Sequence, residues 1–341
     1  MGLLRLVLAS LVMISHLGIS ITGLNPGVSS VVVFYLLAGH VVSQLWSRRH
    51  EQTTLPTHLW FYKDRLWRIA PLYMVALLLA IMLWWVGAQS PFIGNAPQLH
   101  DWLANALIIP LNYYMYTGQD GFTLLPPAWS LGVELQFYLL VPLLLSRPPL
   151  AIGAGVVSFT VFVLAQWGVL NTDIFGYRLL GGVGFIFLAG TLLGKTDRLS
   201  RGVLALLWLS SVIYVTWLLM GDRHIPYNTE VALGLAMGLP LLVVFLRFPR
   251  KGRWQQIQRS AGEVSYGVFL LHFPAIWLLQ LIGYSGPSTA WMVFLVSVFL
   301  AWITHNAVER PLWQHFRLRL SASHVNFPAP APAPAPAPAE K

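Results

Sequence analysis

The stretch GLLRLVLASLVMISHLGISITG, residues 2–23, decides how the rest of the chain is read. It is a nearly unbroken apolar run of about 20 residues, the length that crosses a hydrocarbon core about 30 Å thick. It contains two residues that lipid disfavours, Arg5 and His16. Arg5 stands at the start, where a long side chain can snorkel to the interface. His16 is expected about 20 Å in from Leu3, at about 1.5 Å per residue. The spacing between the two puts them on nearly one face of a helix. An ionisable group at that depth faces a bundle interior or a watery cavity, and is a site hypothesis by default. The alternative is a buried histidine bonded to a neighbouring helix. A cleaved signal peptide fits poorly, because His16 interrupts the apolar core and no small-x-small site follows.

Composition extends this reading to the whole chain. Of 341 residues, 56% are hydrophobic and 10% charged, against about 25% charged in soluble domains. Mean hydropathy is +0.65. So few charges cannot cover a soluble surface, and lipid must be the main solvent. The expected fold is all-α, a polytopic transmembrane helix bundle of about ten spans. They are placed near 3–22, 28–46, 69–88, 128–146, 150–169, 178–194, 202–220, 229–246, 264–283 and 288–307. A membrane domain over 1–320 is followed by a Pro/Ala-rich segment, 321–341, expected to be an extended disordered tail. There is no cysteine, which excludes disulfides, thiolate catalysis and thiolate metal sites.

The net charge of +9 is topological and implies no nucleic-acid partner. With the N-terminus in the cytoplasm, the inner loops collect Arg48, Arg49, Lys63, Arg65, Arg68, Arg147, Lys195, Arg198, Arg201 and the basic run at 247–259. The C-terminal segment, also inside, adds Arg310, Arg317, Arg319 and Lys341, while the outer loops hold only Arg178 and Arg223. This is a strong positive-inside bias. It predicts a multi-pass protein of the inner, cytoplasmic membrane with both termini in the cytoplasm. Residues 59–68 mix Trp60, Phe61, Tyr62 and Trp67 with charges and suit a helix lying at the inner interface. The outer segment 89–127 has no Lys or Arg and is long enough to form a lid or acceptor-side wall. Within it, 102–116 is too short and polar to span, and reads as re-entrant or interfacial.

Four clusters carry candidate chemistry. In KDRLWRIAPLY, 63–73, Arg65 and Arg68 share a helix face and suit a multiply charged phosphate ligand; an ordinary basic flank is the alternative. In PPAWSLGVELQFYLLVP, 126–142, Glu134 stands alone in an apolar helix, about 9 Å below its outer boundary. A buried carboxylate needs a partner. His16 at similar depth is one, and the pair could move protons; a structural bond to Trp129 or Tyr138 is the other. In GEVSYGVFLLHFP, 262–274, Tyr266 and His272 are expected on nearly one face, as pore or support residues. In VERP, 308–311, Glu309 is expected to brace the bundle against an inner arginine. No zinc motif, phosphate loop or GxSxG elbow appears, and no metal site is expected.

In order, these clusters resemble the acyltransferase 3 family of integral-membrane O-acyltransferases. The resemblance is carried by Leu4–Arg5 with His16, the glycine-bearing run 27–39, Arg65-x-x-Arg68-Ile-x-Pro-x-Tyr73, and Trp129-Ser-Leu-x-Val-Glu134 with Phe137-Tyr138. Ser265-Tyr266 with Leu271-His272-Phe273, and Glu309-Arg-Pro311, complete it. The resemblance implies transfer of an acyl group, often acetyl, from cytoplasmic acyl-CoA to a hydroxyl of an envelope sugar or lipid-linked glycan. No bound cofactor is implied, acyl-CoA being the donor substrate. It makes His16 the catalytic histidine and Arg65 and Arg68 the acyl-CoA-binding pair, with Arg5 in support and Glu134 a further candidate catalytic residue. The chain departs from the family at Ala38-Gly39-His40, where Ser-Gly-Phe is usual, and before Arg5, where many members read Asp-Gly-Leu. The rival class is a transporter or flippase with a His/Glu proton relay; no internal repeat supports it.

Overall fold

The structure, a computed structural model, describes residues 1–47, 55–221, 225–247 and 252–315. The 321–341 segment, and the last residues of the expected membrane domain, lie outside the described residues. Helices in chain order are α1 Gly2–His16, α2 Pro26–Ser47, α3 Leu55–Trp85, α4 Leu99–Leu107, α5 Tyr114–Thr117 and α6 Ala128–Ser146. They continue with α7 Pro148–Gln166, α8 Leu180–Leu192, α9 Arg198–Gly221, α10 Asn228–Arg247, α11 Gly252–Leu281 and α12 Ala290–Thr304. Among the described residues the fold is an all-α polytopic bundle, with nine helices long and apolar enough to cross a membrane.

The tenth expected span is the short one. α1 stops at His16 rather than continuing to residue 22. Gly18 takes φ +78°, and the amides of Gly18 and Ile19 bond back to the carbonyls of Ser15 and Ile14, a glycine C-terminal stop. Asn25 then caps α2: its Oδ1 accepts from the amides of Gly27 and Val28 at 2.9 and 3.4 Å, with Pro26 as the first helical residue. His16 therefore stands at the end of a helix about 22 Å long, not inside a longer one.

α1 is wedged between α2 and α11; α2 continues onto α8 and α10, and α11 onto α3 and α12. α7 and α9 are mostly unburied and flank the bundle. Lipid supplies no hydrophobic drive between helices, so close backbone approach has to hold them. α2 and α8 show how: a Cβ on Gly39 would strike the Phe187 carbonyl, and one on Gly190 would strike that of Leu36. At the start of α1, a Cβ on Gly2 would strike the Gln258 carbonyl of α11.

One further expectation is corrected. Residues 59–68 do not form a separate interfacial helix; α3 runs unbroken through them, with Pro71 inside it. A membrane helix tolerates such a proline because its surroundings re-satisfy the backbone. The 102–116 segment, read as re-entrant or interfacial, packs against the bundle without spanning it. It holds α4, a sharp turn at Ile108 with φ +67° and the 3₁₀ turn Ile109–Tyr113, packed beside α6. Its polar residues are anchors. Buried Asn105 donates to the carbonyls of Asp101 and Phe122 at 2.9 and 3.1 Å and accepts from the Leu124 amide at 2.9 Å. Tyr73 of α3 donates to the Asn105 carbonyl at 2.5 Å.

Asn105→Ala strips these partners from buried backbone groups. We expect it to lower stability by about 2–4 kcal/mol, read as a lower melting temperature in detergent. An unchanged melt would show that Asn105 does not anchor the segment.

Candidate active site

Three cavities follow one another through the bundle, and each shares lining residues with the next. The first, about 670 Å³, is a polar basin lined by Arg68, Arg259, Glu263, His305, Glu309 and Arg310, among others. The second, about 210 Å³, takes Arg68 as one wall and adds Arg5, Arg65, Tyr35, Glu134, Tyr138 and Tyr266. The third, about 90 Å³, holds Ser15, His16, Asn25, Trp129, Tyr177, Arg178 and Tyr227. Val31, Ser130 and Phe269 line both the second and the third.

This order is written into four helices. α1 gives Arg5 to the second cavity and His16 to the third. α2 gives Val28 to the third, Val31 to the shared wall and Tyr35 and Ala38 to the second. α6 repeats the sequence with Trp129, Ser130 and Glu134, and α11 supplies Tyr266 and then Phe269. Arg5 and His16 lie about 16 Å apart along α1, so one helix face joins a cationic chamber to an imidazole.

The second cavity is rich in cations. Arg65 pairs with Asp64 at 2.5 Å and lies 5.8 Å from the Tyr138 ring centroid. Arg68 is 38% exposed and stands 3.6 Å from Glu309, which His305 also engages at 3.0 Å. The arginine brace expected for Glu309 is thus present. Two devices put it there: a π turn over His305–Glu309 and the packing of that turn on α3. The Arg5 guanidinium has no hydrogen-bond or ion-pair partner among the described residues, although it lines the cavity. Cations held in a low-dielectric site without full counter-charge are suited to an anionic ligand.

His16 does not meet Glu134. Of the two partners open to that carboxylate, the structure gives the structural one: Tyr138 donates to Glu134 Oε1 one helical turn away. His16 instead stacks on His272, with ring centroids 5.4 Å apart and planes 23° apart, and meets the edge of Phe273 at 4.9 Å. It is nevertheless accessible, because its free side faces the third cavity. His272 is fully buried; its Nδ1 lies 3.2 Å from the Val268 carbonyl, and its Nε2 has no partner among the described residues. Tyr266 and His272 are not on one face. Six residues at about 100° each leave them about 120° apart, so Tyr266 donates to the Ile69 carbonyl at 3.3 Å while His272 lies beside His16. No group of three or more His, Asp or Glu placed to hold a metal occurs among the described residues.

The residue that sequence reading passed over is Arg178. It ends a π turn, Ile174–Arg178, and its carbonyl accepts from Asn112 Nδ2 at 3.0 Å. The signal was its place in the charge distribution: it is one of very few cations outside the basic loops. Tyr35, buried on the wall of the second cavity with a hydroxyl that has no partner among the described residues, is a second such residue. Nothing in sequence marked it.

A family model described as an acyltransferase domain matches residues 1–306, a span that includes every residue of the second and third cavities. The chain belongs to the acyltransferase 3 family. It is therefore a membrane acyltransferase, and the transporter reading falls away. Among its relatives, a putative membrane-bound transacylase, BcsY, of Komagataeibacter xylinus is 25% identical over 326 residues, covering 90% of this chain and 81% of the relative. Nodulation protein 10 of Rhizobium leguminosarum bv. viciae is 26% identical, covering 91% of each. An uncharacterized protein of Aquifex aeolicus (strain VF5) is 34% identical over 199 residues, 54% of this chain and 88% of the relative. No solved structure matches.

The arginine brace can be checked directly. In a double-mutant cycle, Arg68→Ala and Glu309→Ala should be coupled by about 0.5–1 kcal/mol in thermal or denaturant stability. Strict additivity would mean that the pair is not formed.

Proposed function

We propose that the protein moves an acyl group, acetyl in the simplest case, from cytoplasmic acyl-CoA to a hydroxyl of a cell-envelope sugar or lipid-linked glycan. The supporting observation is the series of cavities, with Arg68, Arg65 and Arg5 toward one end and His16 at the other. On this reading the protein lies in the inner membrane, with the arginine-lined face and both termini in the cytoplasm, in line with the positive-inside distribution.

The donor's phosphates engage Arg68, with Arg259 and Arg310 of the basin in reach of the same charge. The pantetheine arm passes Arg5 and Arg65 and carries the thioester toward Val31, Ser130 and Phe269. The acceptor hydroxyl enters from the far side, beside His16. The neutral imidazole takes the hydroxyl proton as oxygen attacks the thioester carbon, then returns it to the departing CoA sulfur. His16 ends α1, where the carbonyl end of the helix favours the positive charge that the ring acquires. Stacking on His272 and the edge contact with Phe273 limit its rotation. Glu134 supplies counter-charge to the arginine chamber through the Tyr138 bond, rather than orienting the imidazole.

Two variants test this, using radiolabelled acetyl-CoA and envelope fractions of a strain lacking the protein as the acceptor pool. His16→Ala should lower turnover by about 10²–10⁴-fold with the protein still inserted in the membrane. Arg68→Ala should raise KM for acetyl-CoA about tenfold, equivalent to 1.4 kcal/mol of binding, with kcat little changed. Normal turnover in the first variant would remove His16 from the chemistry. An unchanged donor KM in the second would remove Arg68 from the CoA path.

A further inference from the structure

The third cavity contains a permanent cation that the mechanism above does not use. Arg178 is 12% exposed. Its Nε donates to Asp173 Oδ1 at 2.7 Å. Its guanidinium carbon lies 4.6 Å from the Trp129 ring centroid, 5.2 Å from Tyr177, 5.3 Å from Tyr114 and 5.8 Å from Tyr227. The side chain is thus fixed in orientation by one carboxylate and a cage of rings. The bond to Asp173 uses Nε alone, and the two terminal nitrogens have no protein acceptor among the described residues. They belong to a cavity whose other chemical group is the His16 imidazole.

A fixed guanidinium beside a general base is, on its face, a fault. When the base takes a proton, two positive charges share a small, poorly solvated space. The arrangement becomes favourable only if negative charge develops there at the same moment. Attack of a hydroxyl on a thioester produces such a charge.

We infer that Arg178 is a further catalytic residue, whose terminal nitrogens bind the carbonyl oxygen of the thioester and stabilise the oxyanion formed on attack. This inference rests on the acyl-transfer reading of the same site. The step balances. The acceptor oxygen forms a bond to the acyl carbon, its proton passes to His16, and the carbonyl π pair moves onto oxygen, which accepts from Arg178. Collapse restores the carbonyl, breaks the C–S bond, and the thiolate leaves with the proton from His16. A preoriented donor pair is suited to this role because no reorganisation is needed as the charge forms. The aromatic cage keeps water from competing for the same nitrogens. The Asp173 anchor takes Nε and leaves the forked pair for the substrate.

The test compares wild type, Arg178→Gln and Arg178→Lys in the radiolabelled transfer assay. Arg178→Gln should lower kcat about 10²–10³-fold, the usual effect of losing an oxyanion donor, with the acetyl-CoA KM unchanged. Arg178→Lys keeps the charge but not the forked pair and should lie between the two; it also serves if the glutamine variant does not fold. A second readout separates this role from a structural one. Fluoroacetyl-CoA and chloroacetyl-CoA make the carbonyl carbon more electrophilic, so the loss in kcat should shrink along that series. Variants with full kcat, or with a loss that is the same for all three donors, would overturn the assignment. A raised acceptor KM with unchanged kcat would overturn it in favour of acceptor binding. Absence of transfer by the wild-type protein would instead overturn the underlying acyl-transfer reading.

Discussion

A charged side chain among hydrocarbon helices must have water, a counter-ion or a ligand, and the interior of this bundle is arranged around that constraint. α1 carries the two groups that make it acute, Arg5 and His16, on one face. Lying between α2 and α11, that face cannot turn to lipid. The bundle meets the constraint by keeping space beside each group: a cationic chamber near Arg5 and a smaller one near His16. The proposed chemistry, joining a phosphate-bearing thioester to an alcohol, needs the same two environments at the two ends of one path.

The fold serves this by dividing labour among its helices. α2 and α11 are the most buried, and their glycines and small residues let α8, α1 and α12 approach closely. Outer helices such as α7 and α9 give most of their surface to the surroundings. Two departures from regular α geometry aim charges. One π turn presents Arg178 and the other presents Glu309. Such turns are rare and are found often at functional sites. Here each places a charge that a regular helix would direct elsewhere.

Much of this was legible in the sequence, for reasons that can be named. The count of spans came from hydropathy, and the pairing of Glu309 with an inner arginine followed from the need of a buried carboxylate for a partner. Arg65 and Arg68 were legible because three-residue spacing is geometry. The misreadings also have causes. Gly18 after His16 was a helix stop hidden in an apolar run, since hydropathy does not register a left-handed φ. The third span was expected to begin at 69, yet α3 runs through that point with Pro71 inside it. The His16–Glu134 pairing failed because similar depth on two helices does not fix facing direction; Tyr138, one turn away on Glu134's own helix, took the carboxylate. Arg178 was visible as an exception to the charge distribution, but only the packing of Trp129, Tyr114, Tyr177 and Tyr227 around it gives that exception a meaning.

The central claim is that the arginine chamber and the imidazole chamber open to opposite faces of the membrane along one path. The absence of native cysteine allows a direct measurement with single cysteines in sealed vesicles of known orientation, treated with a membrane-impermeant thiol reagent. Val41→Cys, on the wall of the arginine chamber, should react only from the Arg68 face and be protected by acetyl-CoA. Ser15→Cys, beside His16, should react only from the other face. Labelling of both from one face, or no protection of Val41→Cys by acetyl-CoA, would contradict the account.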